Sequence, residues 1–296
     1  MPLSKVAHAK INLSLSVGPP LAGDHPRAGM HPIASWVHAI DLSDEITVER
    51  RRAGIGVGLN LAWAPDAPRQ TPLDWRADTD LCVRAARALA AETDSDIDVR
   101  IAVVKRIPVG AGLGGGSADA AATLTAINEL LELNVSNVRL AELACSIGSD
   151  VAFFLDDQTP PRPAIVSGLG GCIERLGRSR GQLLLCIPPF GCATRSVYRA
   201  FDELGPNPLR SQAVRSLARG ARPDAQALFN DLVSAAGRVE PRLAELRRRI
   251  EDAVGLPAHL TGSGSAMFVL CNNATAIAAR IGEAAAGVAC LPAQLV

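Results

Sequence analysis

Residues 108–124 read PVGAGLGGGSADAAATL, and this stretch decides the fold class that the sequence predicts. Five glycines between Gly110 and Gly116 remove the Cβ atoms that would keep a ligand away from the backbone. The loop leads into an alanine-rich helix predicted from about Ser117, whose first N–H groups favour an anion. The pattern therefore predicts a phosphate-binding loop held between a strand and a helix, rather than a flexible linker.

Two other phosphate-binding motifs compete for this stretch. A Walker A loop ends in Gly-Lys followed by Ser or Thr, whereas Ser117 follows three glycines and no lysine. Gly110, Gly112 and Gly115 do fit the G-x-G-x-x-G pattern of dinucleotide-binding oxidoreductases. That motif requires a parallel strand ending in an acidic residue about twenty positions later, and here two helical segments follow. The oxidoreductase is therefore the weaker alternative.

A second motif lies near the N-terminus, where residues 6–17 (VAHAKINLSLSV) alternate with period two. Apolar residues occupy one face, and the other face is almost wholly polar and carries Lys10 and Asn12. This alternation predicts a strand with its apolar side on the core and its polar side toward solvent or a cleft. Because the chain has only three lysines (Lys5, Lys10 and Lys105), a lysine in the middle of a strand suggests a chemical role.

The rest of the chain alternates strands and helices. Strands are predicted near residues 36–40, 45–49, 97–103, 183–187 and 267–271, and helices near 81–89, 137–147, 194–204, 224–236 and 241–254. Residues 18–32 and 65–79 are irregular, and TPPRP at 159–163 predicts a domain seam. The sequence therefore predicts an α+β enzyme of two domains.

Composition limits the kind of partner. The 296 residues carry 30 acidic and 30 basic side chains, so no net charge draws the chain to nucleic acid or an anionic membrane. The dense basic run Arg247–Arg249 lies between apolar residues at helical spacing, which predicts a solvated helix face. Hydrophobic residues make up 48% of the chain, enough for a full core. We therefore expect a small-molecule substrate, no nucleic acid and no membrane.

Cysteine usage indicates the compartment. The seven cysteines are scattered and none forms a C-x-x-C pair, which argues against a disulfide framework or a zinc site. The N-terminal residues carry no apolar run of signal-peptide length, and no run of about eighteen apolar residues occurs. The sequence therefore predicts a cytoplasmic protein.

The segment PVGAGLGGGSADAAATL resembles the phosphate-binding motif of the galactokinase, homoserine kinase, mevalonate kinase and phosphomevalonate kinase (GHMP) superfamily. Further matching segments follow in that superfamily's order: AKINLSL at 9–15, GSDVAFFL at 148–155, PPFGCATRSVYRAFD at 188–202, NDL at 230–232 and LTGSGSAMFVL at 260–270. The AKINL, NDL and TGSGS segments resemble its 4-diphosphocytidyl-2-C-methyl-D-erythritol kinase branch in particular. The resemblance covers nearly the whole chain.

This resemblance implies a two-domain α+β fold. A ribosomal-protein-S5-like N-terminal domain would cover residues 1–160 and bind ATP. A ferredoxin-like C-terminal domain would cover residues 161–285 on the substrate side, and the last strand, about 286–296, would return to the first domain.

The resemblance also implies ATP-dependent phosphorylation, with Mg²⁺, of the 2-hydroxyl of 4-diphosphocytidyl-2-C-methyl-D-erythritol in non-mevalonate isoprenoid biosynthesis. Asp150 would be the catalytic base, and Lys10 would orient the hydroxyl and offset charge on the phosphoryl group. A helix cap is the structural alternative for Asp150, and the N-cap of the predicted helix is the one for Ser117. The resemblance implies ATP contacts by Pro108, Val109, Gly110, Ala111, Gly112, Leu113, Gly114, Gly115, Gly116, Ser117 and Ala118, with Ser117 also a candidate Mg²⁺ ligand.

Four residues are expected at the substrate. Asn12 follows Lys10 on the same strand face and is expected to reach the same cleft. By resemblance, His31 reads the cytosine edge, Phe190 stacks on the cytosine ring, and Gly264 lies in a glycine turn beside substrate or phosphate. An ordinary surface histidine and a plain structural turn are the alternatives for His31 and Gly264.

Three departures from the family pattern bear on ligand choice. Met30 stands where the family has a tyrosine, which removes an aromatic platform for cytosine, and Asp80 stands where it has an asparagine near the adenine. The loop AGDHPRAGMHP at 22–32 is longer than the family's short turn. A sibling kinase acting on another small alcohol and a non-catalytic nucleotide-binding relative are therefore further alternatives.

Overall fold

The computed structural model describes residues 1–205, 207–220 and 222–296. In these ranges the strands are β1 Leu3–Val17, β2 Ile33–Arg50, β3 Gly58–Trp63, β4 Val99–Lys105, β5 Ala164–Gly168, β6 Cys172–Arg175, β7 Gln182–Ile187, β8 His259–Leu260, β9 Met267–Leu270 and β10 Ala289–Gln294. The α-helices are α1 Leu81–Thr93, α2 Gly115–Leu130, α3 Asn137–Ile147, α4 Thr194–Leu204, α5 Ser211–Leu217, α6 Val233–Val239, α7 Pro241–Val254 and α8 Ala274–Ala284. The predicted α+β class is confirmed. No described helix has the length and apolar character needed to cross a bilayer.

The chain forms two compact units that interleave along the sequence. Unit 1 consists of Met1–Ala9, Leu42–Val109 and Gly114–Pro161, and unit 2 consists of Lys10–Asp41, Gly110–Leu113 and Arg162–Val296. Strands β1 and β2 and the glycine loop each contribute residues to both units. The seam predicted at 159–163 is where the chain leaves unit 1 for the last time.

In unit 1, strands β3, β4 and the second half of β2 form a sheet. β4 pairs in parallel with β3 and antiparallel with residues 45–50 of β2. Period-two alternation in β4 buries Val99, Ile101 and Val103 on one face. Helices α1 and α2 pack on each other and bury alanine-rich faces, so their backbones approach closely. This packing holds the N-terminal end of α2, where the glycine loop ends.

In unit 2, a four-stranded antiparallel sheet has the order β10-β7-β9-β8. Helices α4, α6, α7 and α8 contribute side chains to the buried cluster that includes Leu184 and Cys186 of β7. The first half of β2 pairs with β5, and β5 pairs with β6. The last strand, β10, thus lies in unit 2, and the return of residues 286–296 to the first domain stays a prediction. Helix α8 packs on both β7 and β10 and brings the C-terminal strand back beside β7.

Two local predictions were wrong. The strands predicted near 36–40 and 45–49 are one strand, β2, because residues 41–44 stay extended and bury Leu42 and Asp44. The helix predicted over 224–236 forms only as α6, from Val233 to Val239. The residues before α6 pair with β1 instead, since the Leu15 N–H donates to the Phe229 carbonyl at 2.9 Å.

Candidate active site

The glycine loop has the backbone conformation that its composition predicts. Gly110, Gly112 and Gly114 have φ angles of 69°, 80° and 71°, in the left-handed region that costs strain for any residue with a Cβ atom. Helix α2 begins at Gly115, with Gly114 as its N-cap, two residues earlier than expected. At Gly115 a Cβ atom would lie 2.9 Å from Cγ2 of Ile107. The backbone path of the loop and its close packing therefore both require glycine at these positions.

The apolar residues of the loop anchor it. Ala111 and Leu113 are 4% and 1% exposed and alternate with the glycines. The Ala266 N–H donates to the Ala111 carbonyl at 3.1 Å, and the Lys10 N–H donates to the Leu113 carbonyl at 2.9 Å. Val109 at the loop entrance is exposed. A loop tied down at alternate residues is a fixed structure, which argues against the flexible linker.

Ser117 is the third residue of α2, so it is not the helix N-cap that the sequence allowed. Its side chain is half-buried, and no described residue hydrogen bonds to its hydroxyl. The first N–H groups of an α-helix have no partner within the helix. Ser117 and these N–H groups together fit a phosphate or a phosphate-bound Mg²⁺, because Mg²⁺ takes oxygen ligands and keeps several from phosphate and water.

Lys10 lies on β1 and is 4% exposed. Its Nζ donates to Asn12 Oδ1 at 2.6 Å and to the Gly112 carbonyl at 2.8 Å. The ammonium group is thereby fixed against a carbonyl of the glycine loop. The polar face of β1, which the sequence placed toward solvent or a cleft, is buried in the structure from Lys10 to Ser16.

Asn12 holds Lys10 in place. Its Nδ2 donates to Ser35 Oγ at 2.8 Å, which turns Oδ1 toward the lysine. The Asn12 N–H donates to Thr261 Oγ1 at 3.1 Å, and the Thr261 hydroxyl lies 3.3 Å from the Gly112 carbonyl. The structure therefore shows Asn12 positioning Lys10, and its predicted contact with substrate stays a prediction.

The TGSGS turn at 261–265 packs directly on the glycine loop. Gly262 and Gly264 have positive φ angles, and the Gly264 N–H donates to the Thr261 carbonyl at 3.0 Å. A Cβ atom on Gly112 would lie 2.3 Å from that same carbonyl oxygen. No side chain other than glycine fits at residue 112 without moving one of the two backbones. The role of Gly264 at substrate or phosphate stays a prediction.

Asn230, in the NDL segment, was missed by sequence reasoning as a site residue. Its Nδ2 donates to the carbonyls of Leu260 and Gly262, each at 2.8 Å, and so holds the TGSGS turn. The neighbouring Asp231 accepts from Ser16 Oγ at 2.8 Å and from the Val17 N–H at 2.9 Å. The NDL segment therefore ties the end of β1 to the turn, and the only sequence signal for it was the family motif.

His31 is buried with both ring nitrogens in contact with protein. Nδ1 donates to the Gly18 carbonyl at 2.9 Å, and Nε2 lies 3.3 Å from Asp202 Oδ1. The ring packs beside Tyr198, with 5.2 Å between centroids. His31 is thus not the ordinary surface histidine of the alternative, and its contact with cytosine stays a prediction, as does any effect of Met30, which is exposed.

Phe190 is half-buried, and the Arg242 guanidinium lies 4.4 Å from its ring centroid. This distance allows a cation–π contact. The Phe190 carbonyl accepts a hydrogen bond from Ser265 Oγ, which ties this loop to the TGSGS turn. One face of the ring is therefore covered by arginine, and a base would have to stack on the other face or displace Arg242.

Asp150 lies in unit 1, where α3 ends at Gly148 and a short 3₁₀ helix, Val151–Phe154, begins. Asp150 is the N-cap residue of this 3₁₀ helix, but its side chain makes no capping hydrogen bond. The carboxylate is half-buried. Its predicted role as the catalytic base stays a prediction.

Asp80, one of the departures from the family pattern, is the N-cap of α1. Its Oδ1 accepts from the Cys82 N–H at 2.8 Å, and its Oδ2 accepts from Trp75 Nε1 at 2.9 Å. A carboxylate at the N-terminal end of α1 also interacts favourably with the helix dipole. Its structural role therefore explains the aspartate without reference to a ligand.

Lys105 occupies a buried ionic cluster in unit 1. Its Nζ lies 2.5 Å from Asp44 Oδ2 and 2.6 Å from Asp119 Oδ2. Although burial opposes the charge, the carboxylates of Asp119 and Asp44 raise the pKa of Lys105 above its ordinary value. Burial raises the pKa of Asp119 from 3.8 to about 8, and its Oδ1 has no hydrogen-bond partner in the described part of the chain.

In the described ranges, no group of three or more His, Cys, Asp or Glu side chains could hold a metal ion.

Comparison with known proteins gives a consistent result. The family profile for the N-terminal domain of GHMP kinases matches residues 80–158, and the one for their C-terminal domain matches residues 209–286. A 4-diphosphocytidyl-2-C-methyl-D-erythritol kinase of Pelotomaculum thermopropionicum is 37% identical, over 95% of this chain and 94% of its own length. One of the same name from Thermobifida fusca is 37% identical, over 90% of this chain and 86% of its own length.

Solved structures agree. A crystal structure of 4-(cytidine 5'-diphospho)-2C-methyl-D-erythritol kinase covers 99% of both chains at 33% identity, with a TM-score of 0.73. The mevalonate kinase of Methanococcus jannaschii has a TM-score of 0.66 at 13% identity, which shows a shared fold alone. The chain therefore belongs to the GHMP kinases and, within them, to the family of 4-diphosphocytidyl-2-C-methyl-D-erythritol kinases.

Proposed function

We propose that this chain transfers a phosphoryl group from ATP to the 2-hydroxyl of 4-diphosphocytidyl-2-C-methyl-D-erythritol, a step of non-mevalonate isoprenoid biosynthesis. The full-length similarity to kinases of that name supports the substrate. The observation in the structure that carries the proposal is the Lys10 ammonium, buried and held 2.8 Å from the Gly112 carbonyl of the glycine loop. A cation fixed at a phosphate-binding loop can act on a transferring phosphoryl group without further reorganisation.

The glycine loop would bind the phosphates of ATP. Its three glycines with positive φ angles and the first N–H groups of α2 provide backbone donors with no Cβ obstruction. Ser117, whose hydroxyl has no partner in the described chain, would bind a phosphate oxygen or the metal. Mg²⁺ bound with ATP would neutralise the charge that develops on the phosphoryl group.

Asp150 and Lys10 would have different roles at the acceptor hydroxyl. Asp150 would accept the proton of the attacking hydroxyl, and Lys10 would orient that hydroxyl and offset negative charge. These roles rest on the matching segments GSDVAFFL and AKINLSL. The hydrogen bonds from Lys10 to Asn12 and Gly112 supply the fixed geometry that the role requires.

The first test is ADP release with Mg²⁺ and a panel of alcohols. We expect 4-diphosphocytidyl-2-C-methyl-D-erythritol to drive release, and CMP to compete with it through the predicted contacts of His31 and Phe190. Release driven only by a different alcohol would establish the sibling kinase instead.

The second test is Asp150→Asn, which keeps the shape of the side chain and removes the base. Turnover should fall by roughly 10²–10⁴, while the affinity for a non-hydrolysable ATP analogue stays near that of the wild type. Asp157→Asn, at an exposed aspartate seven residues later, is the matched control and should retain full turnover. An Asp150→Asn enzyme with more than about a tenth of wild-type turnover would contradict the assignment.

A further inference from the structure

Two cysteines of neighbouring strands lie side by side in the sheet of unit 2. Cys186 of β7 and Cys290 of β10 are directly opposite each other in the antiparallel register. The Cys186 thiol donates a hydrogen bond to the Cys290 sulfur. Both belong to the helix-covered face of the sheet, where Cys186 is fully buried and Cys290 is half-buried.

The backbone geometry of this pair suits a disulfide. Opposite residues of antiparallel strands have Cα atoms about 4.5 or about 5.5 Å apart, depending on their hydrogen-bonding class. Disulfides span Cα distances of roughly 4.4–6.8 Å, so either class is within reach without backbone movement. We propose that Cys186 and Cys290 are a redox-active pair that hydrogen peroxide converts into a reversible intrachain disulfide.

The environment of the two sulfurs sets the order of events. The hydrogen bond from Cys186 lowers the pKa of Cys290, and the same hydrogen bond together with burial raises that of Cys186. Cys290 therefore has the larger thiolate fraction and is also the more accessible of the two. It is the nucleophile of the pair, and Cys186 is the resolving thiol.

The chemistry balances with peroxide as the oxidant. The Cys290 thiolate attacks one peroxide oxygen, the O–O bond breaks, and hydroxide leaves as Cys290 becomes a sulfenic acid. The Cys186 thiol then attacks the Cys290 sulfur, forms the S–S bond and releases water after transfer of its proton. Two thiols are oxidised and one peroxide is reduced. A dithiol reductant reverses the reaction by exchange.

The neighbouring Cys271 is a third cysteine with which the pair could react, so it tests whether the pairing is specific. It lies just beyond β9, near enough to influence Cys186 electrostatically. Burial raises the pKa of Cys271, which makes it the poorer nucleophile. It also has no register partner among the cysteines of the described strands. Cys271 is therefore a sharp control for the proposed pairing.

The experiment treats the intact chain with a few equivalents of hydrogen peroxide, denatures it, alkylates the remaining thiols and measures mass and peptides. We expect two thiols to escape alkylation, a loss of about 2 Da before alkylation, and a peptide that links Cys186 to Cys290. Dithiothreitol should restore both thiols. Linkage through Cys271, or oxidation of Cys290 only to sulfinic or sulfonic acid, would overturn the proposal.

Matched variants isolate the pair. Cys290→Ser should abolish the linked peptide, while Cys271→Ser and Cys172→Ser, the latter at an exposed cysteine of β6, should leave it unchanged. Because Cys186 is fully buried, Cys186→Ala is the variant of choice there, since it adds no buried hydroxyl. In Cys186→Ala, Cys290 should accumulate as a trappable sulfenic acid. In Cys290→Ser, a disulfide from Cys186 to another cysteine, formed as readily as the wild-type linkage, would also contradict the pairing.

Discussion

Lys105 in unit 1 and Lys10 in unit 2 are both buried strand lysines, 3% and 4% exposed, and different elements of the fold contribute the groups around them. Lys105 lies between the carboxylates of Asp44 and Asp119. Lys10 donates to an amide oxygen and to a backbone carbonyl, those of Asn12 and Gly112. One lysine serves an ionic cluster inside the unit, and the other is fixed against the loop that is proposed to bind phosphate.

Burial of a lysine does not by itself mark a functional site. Buried charges need compensation, and a carboxylate pair supplies it from within the fold, which makes Lys105 structural. An ammonium that donates to a carbonyl of the proposed phosphate-binding loop lies where its charge can act on a bound phosphate. The elements that carry the partners, rather than the lysine itself, distinguish the two roles.

Replacing each lysine with methionine should have the largest effect and tests whether the two lysines differ in role. Lys10→Met should lower kcat by roughly 10²–10³, the usual cost of losing one fixed group that stabilises charge in the transition state. Lys105→Met should leave kcat per folded molecule near that of the wild type and lower the free energy of unfolding by about 3–5 kcal/mol, because it leaves the buried carboxyl groups of Asp44 and Asp119 without their charged partner. Steady-state ADP release and urea unfolding measure the two effects. Equal losses of kcat in both variants would remove the distinction.

Two glycines of the loop test whether turnover depends on the position of the loop beside Lys10. Gly112→Ala would place a Cβ atom 2.3 Å from the Thr261 carbonyl, whereas at Gly110 a Cβ atom meets nothing within 4 Å. Both have positive φ, so each alanine should cost about 1–2 kcal/mol of stability. Only Gly112→Ala must also push the loop from the turn, and a displacement of this size costs about 10² in rate. The measurement is the ratio of kcat between the two variants. A ratio near unity would mean that the contact between residue 112 and the Thr261 carbonyl does not affect turnover.

The smallest effect concerns the pH dependence of the Lys105 cluster. Burial raises the pKa of Asp119 from 3.8 to about 8, so over this range the folded state binds more protons than the unfolded state. The contribution of Asp119 to the free energy of unfolding is therefore greatest below about pH 4 and is lost as pH rises to about 8, at up to about 1.4 kcal/mol per pH unit. His38 and His259, whose pKa values burial lowers from 6.5 to about 4, act in the opposite direction below pH 6.5.

Urea unfolding between pH 6.5 and 8 therefore isolates the aspartate. The wild type should lose stability across this interval, and Asp119→Asn should show a flatter profile. Parallel profiles for the two proteins would mean that Asp119 is ionised throughout.

Local sequence determined a large part of this protein. Residue type permits the positive φ angles of Gly110, Gly112 and Gly114, since only glycine takes them without strain. Helix α3 has its predicted bounds because Ser136 caps its first turn and Gly148 ends it. In each case the determining interaction lies within a few residues of the chain, where a pattern can be recognised.

Only the tertiary structure decided what the buried polar groups do. Lys105 meets Asp44 across 61 residues, and Asn230 holds the Gly262 carbonyl across 32. Period-two alternation located the strand of Lys10 and Asn12 but placed their face toward solvent or a cleft, whereas Ser35 and Thr261 bury it. A sequence pattern reports which face is polar, while the partner that satisfies a buried donor comes from distant chain, so the role of each lysine was settled by packing.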